Sequence, residues 1–255
     1  MYKTLLVVAA ITVAVVVAAY VLGMFARSPE TPSILQTDQV AVADRLVAVP
    51  GFLTRSFPDT DFSNAVPAVA GILSGGPGKD GIPALDNPQF VPVSEFVGSP
   101  AVQAIVLQAG GEVKVYPYNI LNWHEIVNDT VGDEPVAVTF CPLCGSAIVY
   151  DRRINGEVTT LGVSGALIES NMVMYDRATE SLWQQSTGES LAGVRIGTTL
   201  ELFPMQLSTV GEAREKYPTA VVLSQDTGYV RDYDRNPYGS YDTDNQQFIF
   251  QLSEF

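Results

Sequence analysis

The chain has 255 residues, of which 47% are hydrophobic and only 16% charged, with a formal net charge of −14 at pH 7. That length allows one large domain or two small ones, and 28 acidic against 14 basic residues leave no electrostatic basis for gripping nucleic acid. Two cysteines exclude a disulfide-dense scaffold and a four-cysteine zinc ribbon, and a single histidine excludes a two-histidine metal motif.

From Leu5 to Ala26 the chain carries no charge, and only Thr12 and Tyr20 interrupt its apolar character. At about 1.5 Å per residue this run reaches roughly 33 Å, enough for a bilayer core of about 30 Å. A buried soluble helix would keep a polar face, and this run has none. It is also longer than the apolar core of a signal peptide, and Gly23-Met24-Phe25-Ala26 is a poor cleavage site. Residues 1–27 therefore read as an uncleaved transmembrane anchor, with a cleaved signal as the alternative. Lys3 precedes the run and Arg27 follows it, so orientation is weakly specified. The acidic remainder is expected outside the cytoplasm, anchored or exported, in a compartment that permits disulfides.

Residues 28–70 carry Pro29, Pro32, Pro50, Pro58 and Pro67 without sustained periodicity and read as a linker or surface arm. The turn-rich segment Ser74–Pro83 has glycines and Lys79 but no Lys-Ser/Thr pair and no following helix, so it fails as a phosphate loop. Val102–Gln108 and Glu112–Tyr116 flank Ala109-Gly110-Gly111 as a hairpin. Tyr118–Asn128 reads as a short helix, and Pro135–Phe140 and Ala147–Arg152 as strands. Asn155-Gly156 is a hairpin turn returning into Val158–Val163. Further strands are expected at Met172–Tyr175, Ser181–Gln185, Leu200–Phe203 and Ala220–Ser224, with a second helix at Val210–Lys216. The class is α+β, mainly β, built of short antiparallel strands and hairpins with a few short helices, plus the N-terminal transmembrane helix.

The segment Asp86–Phe96 recurs as Asp244–Phe255 with one inserted residue. The first copy leads into the hairpin, whereas the second meets the end of the chain. Residues 71–255 are thus expected to form one β-rich domain, truncated at its C-terminus.

Chemistry points to Cys141-Pro142-Leu143-Cys144-Gly145. Two sulfurs three positions apart can close a small disulfide ring or share a metal ion. A strand rather than a helix follows them, so no helix dipole is available to lower a thiol pKa. Gly145 instead suits the turn of a zinc knuckle. His124, one element earlier, is the sole nitrogen ligand candidate; as a neutral base it could also accept a thiol proton, with Arg152 or Arg153 adding positive charge. Met172 and Met174 read as core, Trp183 as packing, and the Asp/Arg pairs around Tyr175 and Tyr233 as structural turns. No Ser-His-Asp order or Gly-x-Ser-x-Gly elbow supports a hydrolase.

From about Gly71 to Phe255 the chain resembles the family called domain of unknown function 3179. The resemblance rests on Lys79–Leu85, Ile120–Asp129, Cys141–Ser146, Gly162–Gly165, Val173–Arg177, Ser181–Gln185, Thr187–Glu189 and Thr227–Tyr233. It implies a chain that runs on past Phe255. It also implies selenocysteine in the Cys-Pro-x-Cys motif of some members, and with it redox chemistry, because selenium is rarely spent on a structural bridge.

Three functions compete. In the first, Cys141 and Cys144 exchange thiol for disulfide with an extracytoplasmic thiol protein or small molecule, Cys141 attacking and His124 serving as base. In the second, Cys141, Cys144 and His124 hold one copper or zinc ion. In the third, the cysteines form a structural bridge in a partner-binding module. Whether the chain is an enzyme is left open.

Overall fold

Short apolar runs separated by glycine and asparagine turns pair into three sheets and one two-stranded ribbon in the computed structural model, which describes residues 47–239. The fold is mainly β, with short antiparallel strands and few helices. The apolar run Leu5–Ala26, residues 28–46 and the second copy of the repeat lie outside the described residues. Among the described residues no helix is long and apolar enough to cross a membrane.

The first sheet runs Gln206–Thr209, Gln103–Ala109, Glu112–Pro117, Val221–Leu223, Phe90–Pro92. Its one parallel contact joins Glu112–Pro117 to Val221–Leu223. The middle sheet is the meander Ile126–Val131, Glu134–Cys141, Ser146–Asp151. The third runs Leu73–Ser74, Leu161–Ile168, Asn171–Asp176, Leu182–Gln184, Ser190–Ala192.

The middle sheet is buried on both faces, which explains why Pro135–Cys141 reads as a continuous run instead of alternating with polar residues. Val127, Val136, Val138 and Val149 pack with Ile105, Leu107, Tyr116 and Leu121 on one side. Ile126, Ala137, Cys141 and Tyr150 alternate with them and pack with Leu161, Met172, Met174 and Trp183 on the other. Each large apolar side chain buried this way contributes about 1.5–3 kcal/mol. The alternation turns Cys141 toward the third sheet and Phe140 toward the first.

Helix Val210–Lys216 starts in a capping box, Thr209 accepting from the Glu212 amide and Glu212 from the Thr209 amide. The helix expected over Tyr118–Asn128 ends at His124. Glu125 adopts φ 57° and ψ −33°, and Ile126–Asn128 pair with Ala137–Thr139 as a strand. β-branched Ile126 and Val127 favour that strand, and its ladder outweighs about one more helical turn. Asn155 and Gly156, both at positive φ, turn the ribbon as expected. The long strand then begins at Leu161, and Leu200–Phe203 makes only an isolated bridge, Leu202 to Tyr150.

The described part of the stretch read as an arm belongs to the core. Leu53 on helix Gly51–Ser56, Phe57 and Val69 are fully buried against Ala166, Ile168, Val173 and Tyr175. The glycine-rich loop also packs: Gly75 donates to Gly165 O at 2.8 Å and Asp80 to Val163 O at 2.9 Å. Lys79 pairs with Glu180, its ammonium 4.8 Å from the ring centres of both Phe57 and Tyr175.

Candidate functional site: a cysteine turn and its polar neighbours

Cys141 ends the central strand and pairs in register with Ser146, so Pro142–Gly145 form the connecting turn. Gly145 supplies the left-handed residue at φ 62°. The turn separates the two sulfurs by environment. Cys141 is buried at 1% exposure while Cys144 faces solvent, and both are free thiols.

Two polar side chains reach Cys144, one from each of two sheets. Ser146 Oγ lies 3.1 Å from its sulfur, and Asn171 Nδ2 donates to it at 3.3 Å. Asn171 also donates to Gln185 Oε1 at 2.7 Å and accepts from the Ser186 amide at 2.9 Å, which fixes its amide orientation. Fully buried Gln185 donates to Thr139 Oγ1 at 3.0 Å and to Ser146 O at 3.3 Å. The Ser146 hydroxyl stands between Gln185 Oε1, at 2.8 Å, and Cys144, with one proton for either.

The sulfurs interact with each other. Cys141 Sγ donates to Ser170 O and Cys144 Sγ faces Cys141 O, each at 3.8 Å; the interaction between the two thiols lowers the Cys144 pKa, and Ser146 and Asn171 act in the same direction against partial burial. The same interaction, with burial, pushes the Cys141 thiol up. The exposed sulfur is therefore biased toward the thiolate and the buried one toward the thiol.

A buried carboxyl and a tyrosine complete the cluster. The Glu125 carbonyl accepts from the Phe140 amide at 2.8 Å, beside the end of the cysteine strand. Its carboxyl accepts from the Tyr238 hydroxyl at 2.5 Å. Burial raises the Glu125 pKa to about 7; the Tyr238 hydrogen bond opposes this and the nearby Cys144 charge adds to it. Burial and the Glu125 charge likewise raise the Tyr238 phenol. The positive φ of Glu125 is a conformation that non-glycine residues rarely hold without compensation elsewhere.

A protein-family model described as "Protein of unknown function (DUF3179)" matches residues 79–254, more than half of the chain. The chain belongs to the DUF3179 family. The matched span contains every site residue named above. Searches of curated proteins and of solved structures found no match.

Of the three residues singled out in the sequence of this DUF3179 chain, the structure brings two together. His124 is fully buried, and both its ring nitrogens are engaged away from the sulfurs. Nδ1 donates to Pro83 O at 2.8 Å, because a carbonyl can only accept. Nε2 is left to accept from the Tyr233 hydroxyl at 2.7 Å, and Tyr233 in turn takes the Thr227 proton at 2.6 Å. Burial lowers the His124 pKa, which suits this neutral, structural ring. Arg152 spends its guanidinium on the carbonyls of Val136, Thr159 and Asp129, and Arg153 pairs with Asp151 and Glu134. Among the described residues no three His, Cys, Asp or Glu side chains are arranged to hold a metal ion, so the Cys141–Cys144–His124 set is not assembled for copper or zinc.

Sequence reading of this DUF3179 chain missed Glu125, Ser146, Asn171, Gln185 and Tyr238 as site residues. Polar residues in strands carry no local signature. The available signal was Gln185, a polar residue at the end of the expected strand Ser181–Gln185.

Proposed function

We propose that this chain is a thiol–disulfide redox protein in which Cys144 attacks and Cys141 resolves. One observation carries the reading: the solvent-facing sulfur of the pair accepts a hydrogen bond from Asn171, while its partner is buried and turned to Ser170 O. This reverses the roles expected from chain order, because exposure and thiolate stabilisation coincide on the second cysteine. The uncharged run Leu5–Ala26 supports an anchored, extracytoplasmic setting for the reaction.

In the first step the Cys144 thiolate attacks one sulfur of a substrate disulfide, R–S–S–R′. The Cys144 Sγ–S–R bond forms, the substrate S–S bond breaks, and R′S⁻ leaves. In the second step Cys141 loses its proton to solvent and its sulfur attacks Cys144 Sγ. The intramolecular disulfide forms and RS⁻ leaves. The dithiol loses two electrons, the substrate gains them, and both leaving thiolates take protons from water. Run backwards, the same steps oxidise a substrate dithiol.

The test is alkylation of the reduced full chain by iodoacetamide across pH, with modified sites mapped by mass spectrometry. Cys144 is expected to react well below the free-thiol value of about 8.5, and Cys141 to lag behind it. Cys141→Ser should trap mixed disulfides and Cys144→Ser should not. Equal trapping by the two variants, or a Cys144 midpoint at or above the free-thiol value, would overturn the assignment. A stoichiometric metal in chelator-free protein would favour the metal reading instead.

A further inference from the structure

A cleft of about 430 Å³ opens beside the cysteine turn, and Pro142 and Gly145, on either side of Cys144 in the chain, form part of its wall. Tyr118 and Phe140 supply an aromatic surface, their ring centres 4.2 Å apart and tilted by 34°. Tyr238 faces the cleft and also holds Glu125, so the cavity and the thiol pair share a residue. Asn119 donates through Nδ2 to Tyr233 O at 3.2 Å, while its Oδ1 is buried without a partner among the described residues. Such an acceptor is costly unless a donated N–H completes it.

We infer that this cleft holds an extended polypeptide segment flanking a target cysteine, so that the redox partner is a protein rather than a low-molecular-weight thiol. The inference rests on the redox reading above. Neutral amides, Asn119, Asn122 and Asn236, line the cleft together with aromatic rings, and that mixture matches the alternating peptide groups and side chains of an extended chain. The orphaned Asn119 Oδ1 takes a backbone N–H. A small anionic thiol such as a glutathione-like tripeptide would need several charged partners, yet Asp234 and Arg235, both exposed, are the only charged lining residues described. The net charge of −14 further repels anionic small thiols and leaves a neutral peptide unaffected.

The experiment uses the reduced full chain with three disulfides: an N-acetylated, C-amidated uncharged cysteinyl hexapeptide dimer, bis(2-hydroxyethyl) disulfide and glutathione disulfide. The peptide disulfide should react at least tenfold faster than the other two. Asn122→Trp, which fills the cleft, and Asn119→Leu, which removes the acceptor, should each lower the peptide rate at least tenfold more than the hydroxyethyl rate. Parallel losses, no loss, or a preference for glutathione disulfide would overturn the inference. A separate titration of the fluorescent Ser-for-Cys hexapeptide, read by anisotropy, needs no redox step. Saturable binding that Asn122→Trp abolishes supports the cleft even if all three disulfides are inert, in which case the redox reading alone falls. No binding to the wild type overturns the cleft.

Discussion

Asn171 Nδ2 lies 3.3 Å from Cys144 Sγ and 2.7 Å from Gln185 Oε1, so one amide of the third sheet ties the exposed sulfur of the middle sheet to a buried hydrogen-bond network. Neither the turn nor the strand bearing Asn171 would create this environment alone. The sulfur with the lowered pKa sits where two sheets meet.

That relationship sets the first prediction. A hydrogen bond to a charged group is worth about 1.5–3 kcal/mol, which corresponds to roughly one to two units of pKa. Asn171→Ala should raise the alkylation midpoint of Cys144 by about one unit. Asn171→Asp should raise it further, since a carboxylate replaces the donor. A midpoint unmoved in both variants would show that the amide does not hold the thiolate.

Glu125 predicts a pH dependence of stability. Its pKa is raised from 4.5 to about 7, so its contribution is fully present below about 4.5 and is lost as pH rises through 7. The swing is on the order of 3 kcal/mol. Urea denaturation from pH 4.5 to 8 should show wild type losing stability across that window relative to Glu125→Gln. Cys144 acts in the opposite sense, because its folded pKa is lowered: its contribution is present above the unfolded thiol value of about 8.5 and is lost as pH falls.

His124→Ala separates structural from catalytic roles. Removing the ring leaves Pro83 O and the Tyr233 hydroxyl without their partner and should cost about 2–4 kcal/mol, measured by urea denaturation at pH 7.5. The Cys144 alkylation midpoint should stay within a few tenths of a unit. Because the His124 pKa is lowered by burial, its contribution is present above about 6.5 and is lost as pH falls. A midpoint that moves by a full unit would return His124 to the thiol chemistry.

The glycine-rich loop is predicted to be structural. At Gly165, φ is 75° and an added Cβ would lie 2.0 Å from Pro77 O, so Gly165→Ala must move the loop or the strand. The expected loss is about 2 kcal/mol or more. Gly145→Ala has a comparable φ but open space around it, and it should cost less. Equal urea midpoints for the two variants would contradict the packed-loop account.

Local chemistry made much of this molecule legible. Gly110-Gly111 and Asn155-Gly156 announced their turns because positive φ is cheap there, and the strands of the first hairpin followed within a residue or two. Cys141-Pro142-Leu143-Cys144-Gly145 marked the site, since two sulfurs joined by a proline–glycine turn have few structural uses. Tertiary structure decided which sulfur is exposed with a lowered pKa and which groups lower it. Cys141 is buried by strand alternation against the third sheet, Cys144 is left in the turn, and Asn171 arrives 27 residues later in the chain. His124 and Glu125 are neighbours in sequence, yet the helix ends between them and sends one into a structural network and the other to the thiols. Pairing with Ala137–Thr139 imposes that break, and a ladder of non-local hydrogen bonds has no counterpart in the local sequence.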